Sequence, residues 1–235
     1  MYIQITTKCN MTCQHCCYTC GPKGKHMTRD TWQQALSYAE QCSEFVAIGG
    51  GEPTCHPEFF DILKQAMDMF YSVWLATNGK KTKAMYRLMN IINNEDFYFE
   101  NEYDTYGQGI PNFDDKLDVA LSLDEYHEPI DQKIETIWRQ RSENTNSHFQ
   151  IRNSTRNGVI AAGRAKNWGK RNDCACATIM ITPNGNIKMC GCKNAPIIGD
   201  IWTGEDEKWH TWAEKHDLSY SGCYNETLRR IDETN

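Results

Sequence analysis

Five of the chain's twelve cysteines lie within twelve residues, in the segment CNMTCQHCCYTC at positions 9–20. Neighbouring thiols such as Cys16 and Cys17 cannot easily both form disulfides, and a structural zinc site usually takes four ligands in two separated pairs. Cys9, Cys13 and Cys16 instead form one compact C-x3-C-x2-C group. Three thiolates on one short loop can bind three corners of an iron–sulfur cube, which leaves one iron open to another ligand.

A second group of cysteines flanks a predicted β-hairpin near the C-terminus. The segment TIMITPNGNIKM alternates apolar residues around Pro183, Asn184 and Gly185, which is typical of a hairpin turn. Because a hairpin brings its ends together, the four flanking thiols should converge, and four thiolates can bind zinc as well as an iron–sulfur cluster. These candidate ligands are Cys174, Cys176, Cys190 and Cys192, with Cys223 as a substitute for one of them.

The elements that must position these cysteines alternate between strand-like and helical patterns. Thr28 is a predicted N-cap, Trp32 and Leu36 share the apolar face of the helix that follows it, and Pro57 and Pro129 precede two later helices. Alternation of this kind indicates a parallel sheet with right-handed crossovers. The predicted strands are YIQIT, FVAI, SVWLAT, LDVALSL and HFQIRN.

The length limits how many such units the chain can form. A full eight-unit barrel takes about 250 residues, whereas about 170 of the 235 residues remain once the C-terminal cysteine region is set aside. We therefore predict an α/β fold: a partial (open) TIM-type barrel of about six βα units over residues 1–170, with a small cysteine-rich β-hairpin extension over residues 171–235. The acidic, aromatic segment 93–115 breaks the alternation and is predicted to be a solvated insertion or a lid.

Short polar motifs follow three of the predicted strands, where the functional loops of a barrel are expected. FVAI is followed by a GGE motif, SVWLA by TNG, and LDVAL by SLD. A separate GRA phrase lies just before the extension. The residues that these motifs single out are Gly50, Gly51, Glu52, Asn78, Ser122, Asp124 and Arg164.

Together with the C-x3-C-x2-C loop, these motifs resemble the radical S-adenosylmethionine (radical SAM) superfamily over about residues 1–165. The resemblance implies a 4Fe–4S cluster on Cys9, Cys13 and Cys16 whose open iron chelates SAM. It also implies that the reduced cluster cleaves SAM to a 5′-deoxyadenosyl radical, which takes a hydrogen atom from the substrate. The residues singled out above would contact SAM, with Arg164 pairing with its carboxylate, although the Glu52 carboxylate could instead be structural.

The C-terminal cysteine region resembles the SPASM or twitch extension of that superfamily. Cys174, Gly185 and Cys190 fit its pattern, but the C-x2-C-x5-C-x3-C run of a full SPASM domain is absent. The resemblance therefore implies the shorter form with one auxiliary iron–sulfur cluster, and zinc is the alternative. Cys17 and Cys20 lie outside both patterns, so we expect Cys17 to pack as a small apolar side chain.

Composition and charge indicate in which compartment the protein acts and which classes of partner it binds. The net charge of −6 gives no sign of a duplex nucleic-acid partner. No secretory signal and no stretch of roughly 18 apolar residues is evident, so we expect a cytoplasmic protein without a membrane partner. An electron donor such as flavodoxin or ferredoxin is implied by the resemblance. Because the chain begins at the first strand, we expect a small-molecule or nucleoside-like substrate; a peptide substrate, or a non-catalytic iron–sulfur or zinc protein, is the alternative.

Overall fold

The computed structural model describes residues 1–93, 116–144, 147–153, 163–165, 178–191 and 195–205. The rest of the predicted insertion at 93–115, and the cysteines at 174, 176, 192 and 223, lie outside these ranges. Within them the strands are β1 (Tyr2–Thr6), β2 (Phe45–Gly50), β3 (Ser72–Thr77), β4 (Leu117–Ser122), β5 (Phe149–Arg152), β6 (Met180–Ile181), β7 (Asn186–Lys188), β8 (Ile197–Asp200) and β9 (Gly204–Glu205). The helices are α1 (Arg29–Cys42), α2 (Phe59–Met69), α3 (Thr82–Ile92) and α4 (Gln132–Ser142).

All of these strands belong to one sheet, in the order β5-β4-β3-β2-β1-β6-β7-β8-β9. Strands β1 to β5 pair in parallel with their neighbours in sequence, and α1 to α4 connect them in turn. This confirms the predicted α/β fold. In the described part of the chain the sheet is open, because β5 and β9 are its outer strands. Four strand–helix units and a fifth strand are described, against about six units predicted.

Helix α1 shows why the sequence pattern predicts these elements well. The Thr28 hydroxyl accepts a hydrogen bond from the backbone N–H of Thr31 at 3.4 Å, so Thr28 is the N-cap that the sequence predicts. Trp32, Leu36 and Ala39 are spaced to share one helix face, and all three are buried in the core between the helices and the sheet. Fully burying a side chain of leucine size contributes about 1.5–3 kcal/mol.

The predicted hairpin is present and continues the barrel sheet. Strand β6 pairs in parallel with β1, opposite Tyr2 and Ile3, and antiparallel with β7. Gly185 forms the turn with φ +81°, a conformation that glycine adopts without steric cost. The boundary between residues 170 and 171 lies outside the described ranges, so the division into two domains stays a prediction. No helix in the described ranges is both long enough and apolar enough to span a bilayer.

Candidate functional site

A cavity of about 460 Å³ lies at the carboxyl ends of the first strands, beside the first cysteine loop. This is within the usual size range of small-molecule sites. Nine of the residues predicted to form the site line it: Cys9, Cys13, Cys16, Gly50, Gly51, Glu52, Asn78, Ser122 and Arg164. The structure thus brings together motifs that are spread over more than 150 positions of the sequence.

The cysteine loop is closed by hydrogen bonds at its base. The Cys9 N–H donates to the carbonyl of Gly21 at 3.0 Å, and the Gly21 N–H donates to Thr7 at 3.3 Å. Cys9 and Cys20 are buried and the other three cysteines of the loop are partly accessible, and all five line the cavity. A group of thiols on one loop, with no carboxylate among them, suits a soft metal centre such as an iron–sulfur cluster or zinc.

The thiols of the loop differ in how readily they lose a proton. Burial raises the pKa of Cys9 to about 12, and burial also raises the pKa of Cys13. A hydrogen bond with the Cys20 side chain lowers the pKa of Cys16. Because metals bind thiolates, metal binding on this loop must release protons, mainly from Cys9 and Cys13.

Arg164, from the GRA phrase, clamps the cysteine loop. Its Nε donates to the carbonyl of Cys13 at 2.7 Å, and its Nη1 donates to the carbonyl of Cys20 at 2.7 Å. Its backbone N–H donates to the carbonyl of Cys16 at 3.0 Å. Arg164 thus binds the loop at three carbonyls, two through its guanidinium and one through its backbone N–H. The predicted pairing of Arg164 with a carboxylate stays a prediction.

Two glycines allow backbone to pack directly against the same loop. A Cβ on Gly51 would lie 2.3 Å from the carbonyl oxygen of Lys8. A Cβ on Gly163 would lie 2.4 Å from the carbonyl oxygen of Cys17, and Gly163 has φ +58°. Neither position can hold a larger residue without moving backbone, so both glycines fix the distance between the loop and its neighbours.

Glu52 lines the cavity, but its carboxylate is mainly an internal support of the surrounding loops. Only 1% of the residue is exposed. Its carboxylate accepts hydrogen bonds from the Thr54 hydroxyl at 2.6 Å, the Thr77 hydroxyl at 2.8 Å and the Asn78 N–H at 2.7 Å. Burial raises the pKa of Glu52, and these donors oppose that shift. The carboxylate therefore joins the loop after β2 to the loop after β3, which agrees with the structural role left open by the sequence.

Asn78 connects this network to the cysteine loop. Its Nδ2 donates to Asn10 Oδ1 at 2.8 Å and lies 3.7 Å from the sulfur of Cys9. The Met11 N–H also donates to that sulfur, at 3.4 Å. Hydrogen bonds to a cysteine sulfur stabilise its thiolate and tune the potential of a bound cluster. Ser122, at the end of β4, is buried and lines the cavity beside them.

Two histidines to which the sequence assigns no role at the site, His15 and His127, line the same cavity. His127 Nδ1 is hydrogen-bonded to Asp124 at 2.6 Å, and only 1% of the Asp124 side chain is exposed. The rings of His15 and His127 meet edge to face, with 4.8 Å between their centres. Among the described residues, the buried His15 Nδ1 has no hydrogen-bond partner. Asp124 thus acts on the cavity through His127, a contact that becomes visible only once the loops are folded.

The second cysteine group is described at Cys190 alone. Cys190 follows β7 and is buried. The next residue, Gly191, lines the cavity and lies against Tyr18 of the cysteine loop. The end of the hairpin therefore reaches the first loop. Whether the remaining thiols converge there lies outside the described residues.

Parts of the chain are similar in sequence to known proteins. The sequence profile of the Radical SAM superfamily matches residues 3–134. Over 83 residues the chain is 31% identical to the tungsten-containing aldehyde ferredoxin oxidoreductase cofactor-modifying protein of Pyrococcus furiosus, which covers 34% of this chain and 23% of that protein. Over 79 residues it is 35% identical to the mycofactocin maturase MftC of Mycobacterium ulcerans, which covers 32% of this chain and 21% of that protein. These matches span less than a quarter of the length of either relative.

Among solved structures, BtrN in complex with AdoMet and 2-DOIA has a similar fold. The TM-score is 0.58 at 11% sequence identity, and the match covers 94% of this chain and 89% of BtrN. At that identity the similarity supports the arrangement of strands and helices described above.

Proposed function

This chain belongs to the radical SAM superfamily, and we propose that Cys9, Cys13 and Cys16 bind its 4Fe–4S cluster, with SAM in the adjoining cavity. Membership makes the protein an enzyme of the radical SAM class and implies binding of both groups. The single observation that supports the placement is that the three thiols share one clamped loop and line a 460 Å³ cavity. When bound, the two groups supply reductive cleavage of SAM and a radical that removes a hydrogen atom from the substrate.

The residues around the cavity then divide into two roles. Asn78 and Ser122 present polar side chains to the cavity and are the proposed SAM contacts, together with the backbone of Gly50 and Gly51. Glu52, Asp124 and Arg164 are mainly positioning residues. Glu52 and Arg164 hold the loops in place, and Asp124 holds His127. This division assigns the recognition of SAM to rigid strand ends, where small displacements are costly to catalysis.

For the substrate we propose a small molecule or a nucleoside-like compound, with a peptide as the second candidate. The size of the cavity is the supporting observation, because about 460 Å³ must accommodate the cluster, SAM and the reacting part of the substrate. Two relatives are named as a mycofactocin maturase and a cofactor-modifying protein, and these names describe what the relatives act on. A small-molecule fraction and a peptide fraction of a cell extract are added in separate assays. The fraction that raises 5′-deoxyadenosine formation above the substrate-free rate identifies the substrate class.

For the C-terminal cysteines we propose a second centre of the short SPASM or twitch type, ligated by Cys174, Cys176, Cys190 and Cys192. The support is the buried Cys190 at the end of the hairpin, close to the first loop. Four thiolate ligands leave no open metal position, so this centre would stabilise the fold or carry electrons. Iron and sulfide remaining after removal of the first three cysteines would support a cluster, whereas zinc alone would make the centre structural.

The test of the proposal is a triple variant, Cys9→Ala/Cys13→Ala/Cys16→Ala, prepared without oxygen. With dithionite and SAM, the wild type should form 5′-deoxyadenosine and the variant should form none above background. Cys42→Ala/Cys55→Ala is the matched control, because neither thiol lines the cavity. A triple variant that cleaves SAM at the wild-type rate would refute the assignment of the ligands.

A further inference from the structure

Positive charge is concentrated in the two segments that flank the first cysteine loop. Residues 1–28 contain three lysines and no aspartate or glutamate. Residues 78–93 contain three lysines and one arginine, again with no acidic residue. The whole chain nevertheless has a net charge of −6, so the remaining residues are strongly acidic. Such segregation creates a local positive field on an otherwise negative protein.

The fold brings these two segments together on one surface. The Thr7 N–H donates to the Lys25 carbonyl at 2.8 Å, which places Lys25 beside Lys8. Burial lowers the pKa of His26, and the nearby charges of His56, Lys8 and Lys81 lower it further, so Lys8 and Lys81 both lie close to His26. We call this region the basic surface; its exposed cations are Lys8, Lys23, Lys25, Lys81, Lys83 and Arg87.

Part of the basic surface is concave. A groove of about 640 Å³ between the starts of α2 and α3 is lined by Phe60, Lys81, Lys83 and Arg87. The Arg87 guanidinium lies over the ring of Phe60, 4.0 Å from its centre. The nearest acidic side chains in the sequence, Glu58 and Asp61, both face Arg29 rather than these lysines. Lys81, Lys83 and Arg87 are all exposed, so the groove presents positive charge at the surface.

The basic surface adjoins the proposed cluster at one particular ligand. Lys8 directly precedes Cys9, and Asn78, whose Nδ2 lies 3.7 Å from the Cys9 sulfur, is followed within three residues by Lys80 and Lys81. Lys80 forms an ion pair with Glu128, so it is not counted among the free cations. The cavity proposed for SAM is lined by Cys9 and Asn78 but by none of the six cations of the basic surface. The basic surface and the cavity therefore adjoin Cys9 through different residues.

We propose that the basic surface is the docking site of an acidic, low-potential one-electron donor protein of the flavodoxin or ferredoxin kind. This inference rests on the proposed function, because only a cluster on Cys9, Cys13 and Cys16 needs an electron at this position. The donor gives up the one electron that SAM cleavage consumes, and no atom passes between the two proteins. Complementary charge mainly accelerates association and selects the partner, which suits a transient donor.

The probe is a reduced acidic flavodoxin, and the variant is Lys81→Glu/Lys83→Glu. Glutamate at the start of α3 interacts favourably with the helix dipole, so the variant should fold. Neither lysine has a role in the cavity. The matched control, Lys64→Glu/Lys133→Glu, makes the same change in net charge at exposed lysines of α2 and α4.

Two measurements separate this inference from the proposed function. The Kd for fluorescently labelled flavodoxin should rise roughly tenfold in the variant and in higher salt, but not in the control. SAM cleavage driven by dithionite should be unchanged in both. An unchanged Kd in the variant, or an equal rise in the control, would overturn the docking site. Absence of dithionite-driven cleavage in the wild type would instead overturn the proposed function.

Discussion

Glu52 and Glu58 lie six residues apart, but they belong to two different regions of the molecule. Glu52 faces inward, where hydroxyl and backbone N–H groups surround its carboxylate and no cation is among its hydrogen-bond partners in the described residues. Glu58 faces outward and pairs with Arg29, and it also accepts a hydrogen bond from Trp32 Nε1 at 3.0 Å. The inner region joins the loops of the site, whereas the outer region joins α1 to α2.

The two carboxylates respond to their surroundings in opposite directions. Burial raises the pKa of Glu52, whereas hydrogen bonds from Trp32 and Arg29 lower the pKa of Glu58. A buried carboxylate without a cation is costly unless hydrogen bonds compensate it, and Glu52 has such donors from the loops on both sides of the site. The comparison therefore indicates that the inner network serves the site, while the outer pair serves packing.

The largest effect is expected from Glu52→Ala. This change leaves the hydroxyls of Thr54 and Thr77 and the Asn78 N–H without their acceptor in a buried place. Each unsatisfied group costs about 1–3 kcal/mol, so the free energy of unfolding should fall by about 3 kcal/mol or more. Urea denaturation measures the loss, and iron content should fall with it. Glu52→Gln keeps one acceptor and should lose less; equal stability of Glu52→Ala and the wild type would contradict the inner network.

A smaller effect is expected where backbone packs on the cysteine loop. Gly163→Ala should lower the free energy of unfolding by about 2–3 kcal/mol, because it adds a clash with the Cys17 carbonyl to the strain of a positive φ. Gly204→Ala is the matched control, because Gly204 has φ +90° but nothing within 4 Å of an added Cβ. This change should lower the free energy of unfolding by about 1 kcal/mol. Thermal unfolding and iron content of both variants measure the difference. Equal losses would mean that the close contact contributes nothing.

The smallest expected effect is the pH dependence of stability, whose direction should differ between Glu52 and Glu58. At Glu52 the folded pKa is raised, so wild-type stability falls as pH rises from about 4.5 through that pKa. The stability difference between the wild type and Glu52→Gln should therefore shrink with rising pH.

At Glu58 the folded pKa is lowered, so the stabilisation by Glu58 is present above about pH 4.5 and is lost below it. Glu58→Gln should therefore lose about 0.5–1 kcal/mol near pH 7 and progressively less in acid. Urea titrations at several pH values test both; slopes of the same sign would contradict the comparison.

The sequence predicts the parts of the molecule whose signals are local. Apolar periodicity and the Thr28 cap locate α1, and the alternation of strands and helices predicts the parallel sheet. The spacing of Cys9, Cys13 and Cys16 predicts that they share a loop. Pairing of β6 with β1 is not visible in any local pattern, because it joins segments about 175 residues apart.

The same limit applies to individual side chains of the site. Arg164 is singled out by a phrase, but its hydrogen bonds to Cys13 and Cys20 cross more than 140 positions, and no spacing rule encodes them. His127 lies only three residues from Asp124, yet a single histidine after a strand carries no signal until its partner is known. Long-range contacts depend on how the sheet twists and how loops pack, which periodicity does not specify.

We propose that the first cysteine loop holds a cluster with one iron open to SAM. Electron paramagnetic resonance of the dithionite-reduced wild type, recorded with and without SAM, tests this directly. We predict that SAM changes the spectrum of the wild type, and that this change is absent in Cys9→Ala/Cys13→Ala/Cys16→Ala. A second centre with four thiolate ligands would not respond, so the difference between the two spectra isolates the first loop. A wild-type protein that contains reduced iron–sulfur cluster but whose spectrum is unaffected by SAM would contradict the account.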